Sequence, residues 1–344
     1  MVTILFTDTH FGVKQNMMTW FNSQKLFITE QLIPLLKKHN EVHNEVHNEV
    51  HNEVHNEVHN GVRLIHLGDV FDSRSTISTF IATEVVSLFK EIRKNVSEFI
   101  IIGGNHDYYS PNTDRVDTLN LILKNLDIQL VTNKYLIDNG NLYMPWYEWL
   151  NNIDNLSEIV DKNNIKNIFT HADIVTDPPK NIGARIFSGH MHTPKIYMNL
   201  YNIGSCYSLD FSDANARRGV YIIHEDDNIE FIPNTVSINF WRLYDDQIFN
   251  DYKYKSNDYF ELYISQQNLQ DPKYIAKLSE YIKKYKNTIV IPQYSQLINE
   301  YTEICELNSY NIENMIKKCI PENLQPKFEK VLELSRKNSS EITK

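Results

Sequence analysis

The stretch Val62-Arg63-Leu64-Ile65-His66-Leu67-Gly68-Asp69-Val70-Phe71-Asp72 joins an apolar run directly to a glycine and two carboxylates. A run of aliphatic residues that ends at a glycine predicts a buried strand over Val62–Leu67. A helical pattern follows at Ile77–Asn95, and a second apolar strand is expected at Phe99–Ile102. This alternation of strand, helix and strand predicts βαβ units around a mostly buried sheet.

Polar motifs follow five of the predicted strands, at the point where each strand ends. Because ligands bind at the carboxyl ends of strands in an open α/β sheet, we expect the five motifs to converge on one edge. They are Asp8-x-His10 after Val2–Phe6, Gly68-Asp69 after Val62–Leu67, Gly104-Asn105-His106-Asp107 after Phe99–Ile102, His171 after Asn167–Thr170, and Gly189-His190-x-His192 after Ala184–Ser188.

The side chains of these motifs predict a site for two metal ions. Carboxylate, amide and imidazole ligands suit borderline to hard divalent ions such as Mn²⁺, Fe²⁺ or Zn²⁺. Asp69 has two carboxylate oxygens and is predicted to bridge the ions, an arrangement that suits phosphoryl chemistry. The other predicted ligands are Asp8, His10 and His192 for one ion, and Asn105, His171 and His190 for the other.

His106 is not needed as a ligand in this scheme. It is predicted to protonate the leaving oxygen as a general acid, with Asp107 holding its ring. One such motif alone would be weak evidence, since a Gly-Asp pair is often only a turn and a lone histidine is often only a core residue. Five motifs in one order, each at a strand end, favour a catalytic site.

Composition narrows the class of protein. Of the 344 residues, 42% are hydrophobic and 23% are charged, which is typical of globular domains and of a length suited to about two of them. No apolar run approaches the roughly 20 residues of a membrane span. The three cysteines lack C-x-x-C spacing, which favours a reducing, intracellular and cytoplasmic setting (the host cytoplasm for a viral protein). The net charge of −10 alone speaks against a stand-alone nucleic-acid binder.

A tetrad repeat interrupts the first βαβ unit. A helix is expected from about Trp20 to Lys38, and His-Asn-Glu-Val then repeats from His39 to about Asn60. Histidines spaced by four residues on a helix would form a slowly winding stripe that could hold a metal ion. The tract is poor in helix formers and in apolar residues. We therefore interpret it as a solvated, non-catalytic insertion that either continues the helix or is disordered.

The later part of the chain changes in pattern after Pro233. Before it, Tyr201–Ile203, Gly219–His224 and Ile229–Ile232 predict an antiparallel meander. After it, a strand at Tyr259–Ser265, a helix at Pro272–Tyr285 and a strand at Thr288–Ile291 predict a small second domain. Two amphipathic helical faces around Pro321 and Pro326 predict a tail that completes a core or binds a partner.

The ordered pattern D-x-H, G-D-x-x-D, G-N-H-D, H and G-H-x-H resembles that of the calcineurin-like metallophosphoesterases over about the first 200 residues. Within that superfamily the chain is most similar to the nuclease subunits of DNA double-strand-break repair complexes, of the bacterial SbcD type, and above all to the small subunit of T-even phage recombination endonucleases. The supporting segments are Gly12-Val13-Lys14, Gly68–Asp72, Pro145-Trp146, Ser188–Thr193, Arg218-Gly219-Val220 and Glu230–Asn234. Two departures are Asp72, where archaeal and eukaryotic members have histidine, and the tetrad repeat.

The resemblance implies an α/β fold, namely a four-layer α/β/β/α sandwich over residues 1–235 with the repeat inserted at 39–60. A small α/β capping domain at 236–293 and a helical tail at 294–344 would follow. The resemblance further implies two Mn²⁺ ions, DNA phosphodiester hydrolysis on duplex ends and single strands, and docking of the tail on an SMC-like ATPase. It assigns the metal ligands and the catalytic histidine to the residues already named, and a homodimer is a further expectation.

Two other functions stay open at this point. A phosphatase or nucleotide phosphodiesterase of the same superfamily would use the same site, and a metal-holding scaffold would recruit the ATPase with little catalysis. For a nuclease, the metals and the partner would have to offset the acidic charge of the chain. Local help is expected from basic residues, each of which could equally be an ordinary surface or ion-paired residue: Lys14, Arg74, Arg115, Arg217 and Arg218. Trp146, Tyr147 and Trp149 would stack on bases or, as we favour, form a core cluster.

Overall fold

The structure is a computed structural model, and it describes residues 1–48, 61–110, 113–250 and 254–293. The predicted helical tail at 294–344 lies outside the described residues, as does the tetrad repeat from 49 to 60. Before that point, the helix Ile33–Asn48 carries the first tetrads of the repeat, so the preceding helix continues into it. No helix within the described ranges is both long and apolar enough to cross a membrane.

Two six-stranded sheets form the centre of the fold. The first has the order β14-β13-β1-β2-β3-β6 and the second the order β11-β12-β10-β9-β8-β7. The strands of both sheets are β1 (Val2–Phe6), β2 (Val62–His66), β3 (Glu98–Ile102), β6 (Gln129–Val131), β7 (Leu136–Asp138), β8 (Asn141–Met144), β9 (Asn167–Thr170), β10 (Arg185–Ser188), β11 (Lys195–Tyr197), β12 (Leu200–Asn202), β13 (Gly219–Ile223) and β14 (Ile229–Pro233). A small hairpin of β4 (Tyr108–Ser110) and β5 (Thr113–Asp117) follows β3.

Helices cover the outer faces of both sheets. A π-helical turn at Phe27–Leu32 links the first two helices into one long element. These helices are Met18–Leu26, Ile33–Asn48, Thr79–Arg93, Thr118–Leu123, Trp146–Asn152 and Leu156–Lys162, preceded by a single turn at Val13–Asn16. Two further helices, Gln266–Gln270 and Pro272–Lys284, pack on the third sheet described below.

Alternation along the strands builds four layers. In β1, Ile4 and Phe6 face the cluster under the first helices, whereas Leu5 faces the cluster between the two sheets. In β9, Phe169 faces the same intersheet cluster, whereas Ile168 packs under the helices of the second sheet. Because successive strand residues point to opposite faces, each central strand contributes to two apolar layers. The α/β/β/α sandwich predicted from sequence is therefore confirmed.

The predicted antiparallel meander is wrong in part. β13 and β14 do form a hairpin, and β13 lies antiparallel beside β1 in the first sheet. β12 instead belongs to the second sheet, where it runs parallel to β10. The long connection after β12 crosses from one sheet to the other. Nearness in sequence therefore did not indicate which strands pair.

A third sheet follows the sandwich. It consists of three parallel strands, β15 (Phe240–Tyr244), β16 (Tyr259–Ser265) and β17 (Asn287–Gln293), and sequence patterns missed the first of them. The proposed boundary at 235 and 236 falls in the connection between β14 and β15. Trp20 stacks on both Phe240 and Tyr259, with 5.5 Å between ring centroids in each pair, so aromatic packing joins this sheet to the first helix of the sandwich.

Candidate metal centre

The loops after β1, β2, β3, β9 and β10 meet at one edge of the sandwich. Four residues in these loops have backbones in the left-handed region, namely Asp8 (φ 52°), His10 (φ 41°), Asp69 (φ 55°) and His190 (φ 78°). This conformation costs a non-glycine residue of order 1–3 kcal/mol and persists only where surrounding contacts impose it. Four predicted ligands are thus held in strained conformations at this edge, which favours a functional site here.

Asp107 fixes the loop that carries Asp69. Its buried carboxylate accepts hydrogen bonds from the backbone amides of Asp69 (2.9 Å), Val70 (3.0 Å) and Gly104 (3.0 Å). Burial and then the charge of Asp69 raise the pKa of Asp107 to about 7, against the amide donors. The expected contact between Asp107 and the His106 ring is absent; Asp107 positions the ligand loop instead.

The His106 ring is held by a different group. Its Nδ1 lies within hydrogen-bond distance of the backbone carbonyl oxygen of Asp72, and because a carbonyl only accepts, Nδ1 carries the proton. The His106 backbone amide donates to Asp69 Oδ1 at 2.8 Å. Nε2 has no hydrogen-bond partner in the described part of the chain, which leaves that atom available for proton transfer.

Close packing of two loops explains why residue 104, in the motif after β3, is a glycine. A Cβ at Gly104 would lie 2.3 Å from both the backbone nitrogen and Oδ1 of Asp69. The first atom is backbone, and Oδ1 is held by the hydrogen bond from the His106 amide, so relief would require the ligand loop to move. Gly104 therefore allows the loop after β3 to touch the loop after β2.

The variant Gly104→Ala should lose most of its metal binding and be less stable by about 1–3 kcal/mol, because the added methyl group displaces the Asp69 loop. Urea unfolding and metal titration would measure both effects. Gly183→Ala is the matched control, because nothing lies within 4 Å of the added atom. Equal behaviour of the two variants would contradict the close-packing explanation.

The first group of ligand atoms belongs to Asp8, His10 and His192. His10 Nε2 and His192 Nε2 face each other at 3.2 Å, and Asp8 Oδ1 lies 3.7 and 3.9 Å from them, respectively. Asp8 is fully buried, and its Oδ1 atom has no hydrogen-bond partner among the described residues. Two imidazole nitrogens and an orphaned carboxylate oxygen at these distances require a proton or a metal ion between them.

The second group belongs to Asn105, His171 and His190. Asn105 Oδ1 lies 3.1 Å from His171 Nε2 and 2.9 Å from His190 Nδ1. His171 Nδ1 donates to the carbonyl oxygen of Leu67 at 2.7 Å, which fixes the tautomer whose Nε2 lone pair points to the centre. No sequence pattern indicates this carbonyl, because any residue type can supply it.

Asp69 lies between the two groups. Its Oδ2 atom is 3.3 Å from His171 Nε2 and 3.7 Å from His10 Nε2. Ligands that share an ion at about 2.0–2.2 Å and at right angles lie roughly 3 Å apart. The residues present therefore fit two divalent ions, and Asp69 is the residue placed to touch both.

A third set of acidic and imidazole groups overlaps the first. His10, Asp72 and His106 also offer ligand atoms within 4.8 Å of one another. Asp72 Oδ1 lies 3.5 Å from His10 Nδ1, the ring atom that faces away from His192. We interpret Asp72 as a group that orients His10 through its side chain and His106 through its backbone.

Charges around the metal-free centre favour protonated histidines. Burial alone would lower the pKa of His10, but the neighbouring carboxylates of Asp72, Asp8 and Asp69 raise it to about 10. Burial likewise opposes protonation of His171, and the charge of Asp69 raises its pKa to about 9. Burial opposes ionisation of Asp69, but the charge on His171 holds its pKa below the usual range. Without a metal ion, a proton on each of these two histidines would therefore offset the charge of the nearby carboxylates.

Metal binding should therefore release about two protons per protein near pH 7, one from His10 and one from His171, since a ligand must be deprotonated. Affinity for Mn²⁺ should rise by up to about a hundredfold per pH unit until the pH nears the lower of the two pKa values. Titration calorimetry in two buffers of different ionisation enthalpy would count the protons. Release of no protons would contradict these pKa shifts.

The same two pKa shifts determine how the stability of the metal-free protein changes with pH. Because both folded-state pKa values lie above the ordinary value near 6.5, they stabilise the metal-free protein fully below about pH 6.5. That stabilisation disappears as the pH rises through about 9 and about 10.

An ion pair outside the predicted set supports His192. Arg218 is buried, and its guanidinium donates to Asp213 Oδ1 at 2.9 Å and to the backbone carbonyl of His192. Asp213 Oδ1 in turn lies 3.8 Å from His192 Nδ1. Arg218 is thus a structural residue, and Asp213 was missed because nothing in its local sequence separates it from a surface aspartate.

The other basic and aromatic residues that were considered for DNA contact differ in their burial and in their partners. Lys14 pairs with Asp210 at 3.3 Å, and Arg217 is exposed. Arg74 is half-buried, and the side chain of Arg115 lies outside the described part of the chain. Trp149 is buried in the core of the second sheet, as favoured, whereas Trp146 and Tyr147 are half-buried and contact each other at 5.0 Å between ring centroids. His66, expected to be buried, is fully buried.

Comparison with known proteins adds a family match. A family model described as "Calcineurin-like phosphoesterase" matches residues 1–259, which include the sandwich and every predicted ligand. A search of curated proteins finds no match for this chain.

Proposed function

Because the chain belongs to the calcineurin-like phosphoesterase family and is thus a metal-dependent phosphoester hydrolase, we propose that it is a DNA nuclease. It would act as an exonuclease on duplex ends and as an endonuclease on single strands, in recombination or repair. Its counterparts by motif would be the SbcD-type subunits and their T-even phage relatives. We further propose that it works in the cytoplasm with an SMC-like ATPase, and that it forms a homodimer.

The position of Asp69 carries the proposal of two-metal hydrolysis. One carboxylate oxygen lies within 3.7 Å of nitrogens from both ligand groups, which is the position that a ligand shared by both ions would take. When bound, two such ions, most suitably Mn²⁺, would polarise a phosphoryl oxygen and lower the pKa of a nucleophilic water. The oxygen and imidazole ligands fit that choice of ion.

The protein's own groups supply orientation and a proton. His106 Nδ1 donates its proton to the Asp72 carbonyl, so Nε2 carries a proton on the reacting side only when the ring is an imidazolium, and that form is the proposed acid. In the proposed mechanism Nε2 protonates the leaving 3′ or 5′ oxygen as the ester bond breaks. Asp107 holds the Asp69 loop, and Arg218 with Asp213 holds His192.

Three observations support DNA as the phosphodiester substrate. The resemblance to break-repair nucleases extends beyond the ligands, for example to Gly12-Val13-Lys14 and Arg218-Gly219-Val220. A third sheet follows the sandwich at the place expected for a capping domain. The amphipathic tail at 294–344 has a pattern suited to docking on a partner, although it lies outside the described residues. A small-molecule phosphatase has no need of that tail.

Digestion of end-labelled DNA tests the proposal. Duplex and single-stranded substrates would be incubated with Mn²⁺ and the full chain, beside Asp69→Ala as the inactive control. A bis-aryl phosphodiester would be hydrolysed in parallel to report on the metal centre alone. We expect Mn²⁺-dependent shortening of DNA by the wild type and none by the variant.

The alternative function gives a different result. A phosphatase or nucleotide phosphodiesterase of the same family would cleave the small ester, leave DNA intact and act without regard to DNA length. If DNA stayed intact even after addition of an SMC-like ATPase partner, the nuclease proposal would be wrong. Recombination that survives His106→Ala would instead favour a scaffolding role.

A further inference from the structure

A groove opens at the side of the sandwich, next to the metal centre. It lies between β11 and β12 of the second sheet and β13 and β14 of the first, the strands at which the two sheets end on this side. Its volume is about 550 Å³, which falls in the range of ligand-binding pockets. The residues that matter below are Lys195, Tyr201, Arg217, Tyr221 and Phe231.

The charge of this groove is opposite to that of the chain. The protein carries a net charge of −10, yet among the described residues the groove lining holds two cations, Lys195 and Arg217, and no carboxylate. Both side chains belong to exposed residues. A local positive field of this kind attracts a polyanion to one place on an otherwise acidic surface.

Flat faces lie beside these cations. The Arg217 guanidinium carbon lies 4.9 Å from the centroid of the Phe231 ring, and Tyr221 is 5.0 Å from the same ring. Tyr201 stacks on Phe187 at 4.9 Å and is half-buried, as is Phe231. Aromatic rings and guanidinium planes next to lysine are the combination on which unpaired bases stack.

The groove is connected to the metal ligand His192 on both sides. Pro194, which lines the groove, follows His192 by two residues, a reach of roughly 7 Å at most. On the other side, Arg217 directly precedes Arg218, whose guanidinium binds the His192 carbonyl. A chain held in the groove would therefore pass near His192.

We propose that this groove binds the single-stranded part of a DNA substrate, with phosphates on Lys195 and Arg217 and a base against Tyr201 and the stacked Arg217–Phe231 pair. The inference rests on the proposed nuclease function and names the form of DNA that its site receives. A duplex is too wide to place its bases on these rings, since they are paired and stacked inside it. The groove thus selects an unpaired strand.

Fluorescence anisotropy of a labelled oligothymidine, with the full chain and the metals chelated, measures this binding without cleavage. Arg217→Ala and Phe231→Leu should each weaken binding at least about fivefold, since stacking on one side chain is worth at least that factor. Arg217→Lys should weaken binding less than Arg217→Ala does, because lysine keeps the positive charge. Lys94→Ala is the control, because that side chain is 70% exposed and lies outside the groove lining.

Hydrolysis of the bis-aryl ester with Mn²⁺ should be unchanged in all four variants, because none of them touches a predicted ligand. Unaltered DNA binding by Arg217→Ala and Phe231→Leu would contradict the proposed role of the groove in binding DNA. It would not contradict the nuclease proposal. If the wild type neither bound nor cut DNA, both proposals would be wrong. A change in oligomeric state by sedimentation, with unchanged DNA binding, would identify the groove as a contact between copies and also overturn the inference.

Discussion

Asp69→Asn is expected to lower phosphodiester hydrolysis by more than about a thousandfold, because the variant weakens both metal positions at once. The amide keeps the shape of the side chain and one acceptor oxygen but removes the negative charge that lies 3.3 Å from His171 and 3.7 Å from His10. Metal content after dialysis should fall from two ions to one or none. Steady-state rates and metal analysis on the same preparation would measure both effects.

Asp127→Asn is the control for this variant, because Asp127 is 85% exposed and pairs with Arg93 away from the centre. It should keep wild-type rates and metal content. Retention of two tightly bound ions by Asp69→Asn would show that Asp69 is not shared between the sites. The two-ion interpretation would then need a different bridging group.

His106→Ala should reduce kcat by about 10²–10⁴ with DNA and leave metal content and KM nearly unchanged, as removal of a general acid does. The reason is that the imidazolium form of His106 gives the proton on Nε2 to the leaving oxygen, while the Nδ1 proton stays on the Asp72 carbonyl and holds the ring. The defect should be much smaller with a bis-aryl ester, because an aryl oxide leaves without protonation. A comparison of kcat for the two substrates measures this difference.

His224→Ala is the matched histidine control. His224 pairs with Glu230 at 2.9 Å in the turn between β13 and β14, and it should be silent in both assays. An equal loss on both substrates, accompanied by loss of metal, would reassign His106 as a ligand. A ligand role for His106 is a specific alternative, because His10, Asp72 and His106 offer ligand atoms within 4.8 Å of one another.

Local sequence predicted the convergence of the site because its parts are local. Each ligand follows a short apolar strand, and parallel strands bring their carboxyl ends to one edge regardless of the rest of the fold. Strands β1 and β9 occur at the predicted residues, and the layers follow from alternation within them. Six of the seven predicted ligands lie in two groups at this edge with Asp69 between them, and their role as ligands stays a prediction that metal binding can test.

The contacts that hold the ligands could not be predicted in the same way. Asp107 lies next to His106 in sequence, but its carboxylate turns to the amides of a loop 36 to 38 residues earlier. His171 is oriented by a backbone carbonyl 104 residues away. The placement of β12 beside β10 likewise depends on which sheet has a free edge at that point of the fold. The local sequence does not contain this information.

Anomalous diffraction from crystals grown with Mn²⁺ tests the paired ligand groups most directly. We expect two peaks, one against Asp8, His10 and His192 and the other against Asn105, His171 and His190, with Asp69 contacting both. A single peak, or two peaks that do not share Asp69, would contradict the two-metal centre. Peaks confined to the histidines of the tetrad repeat would show that this chain holds its metal elsewhere.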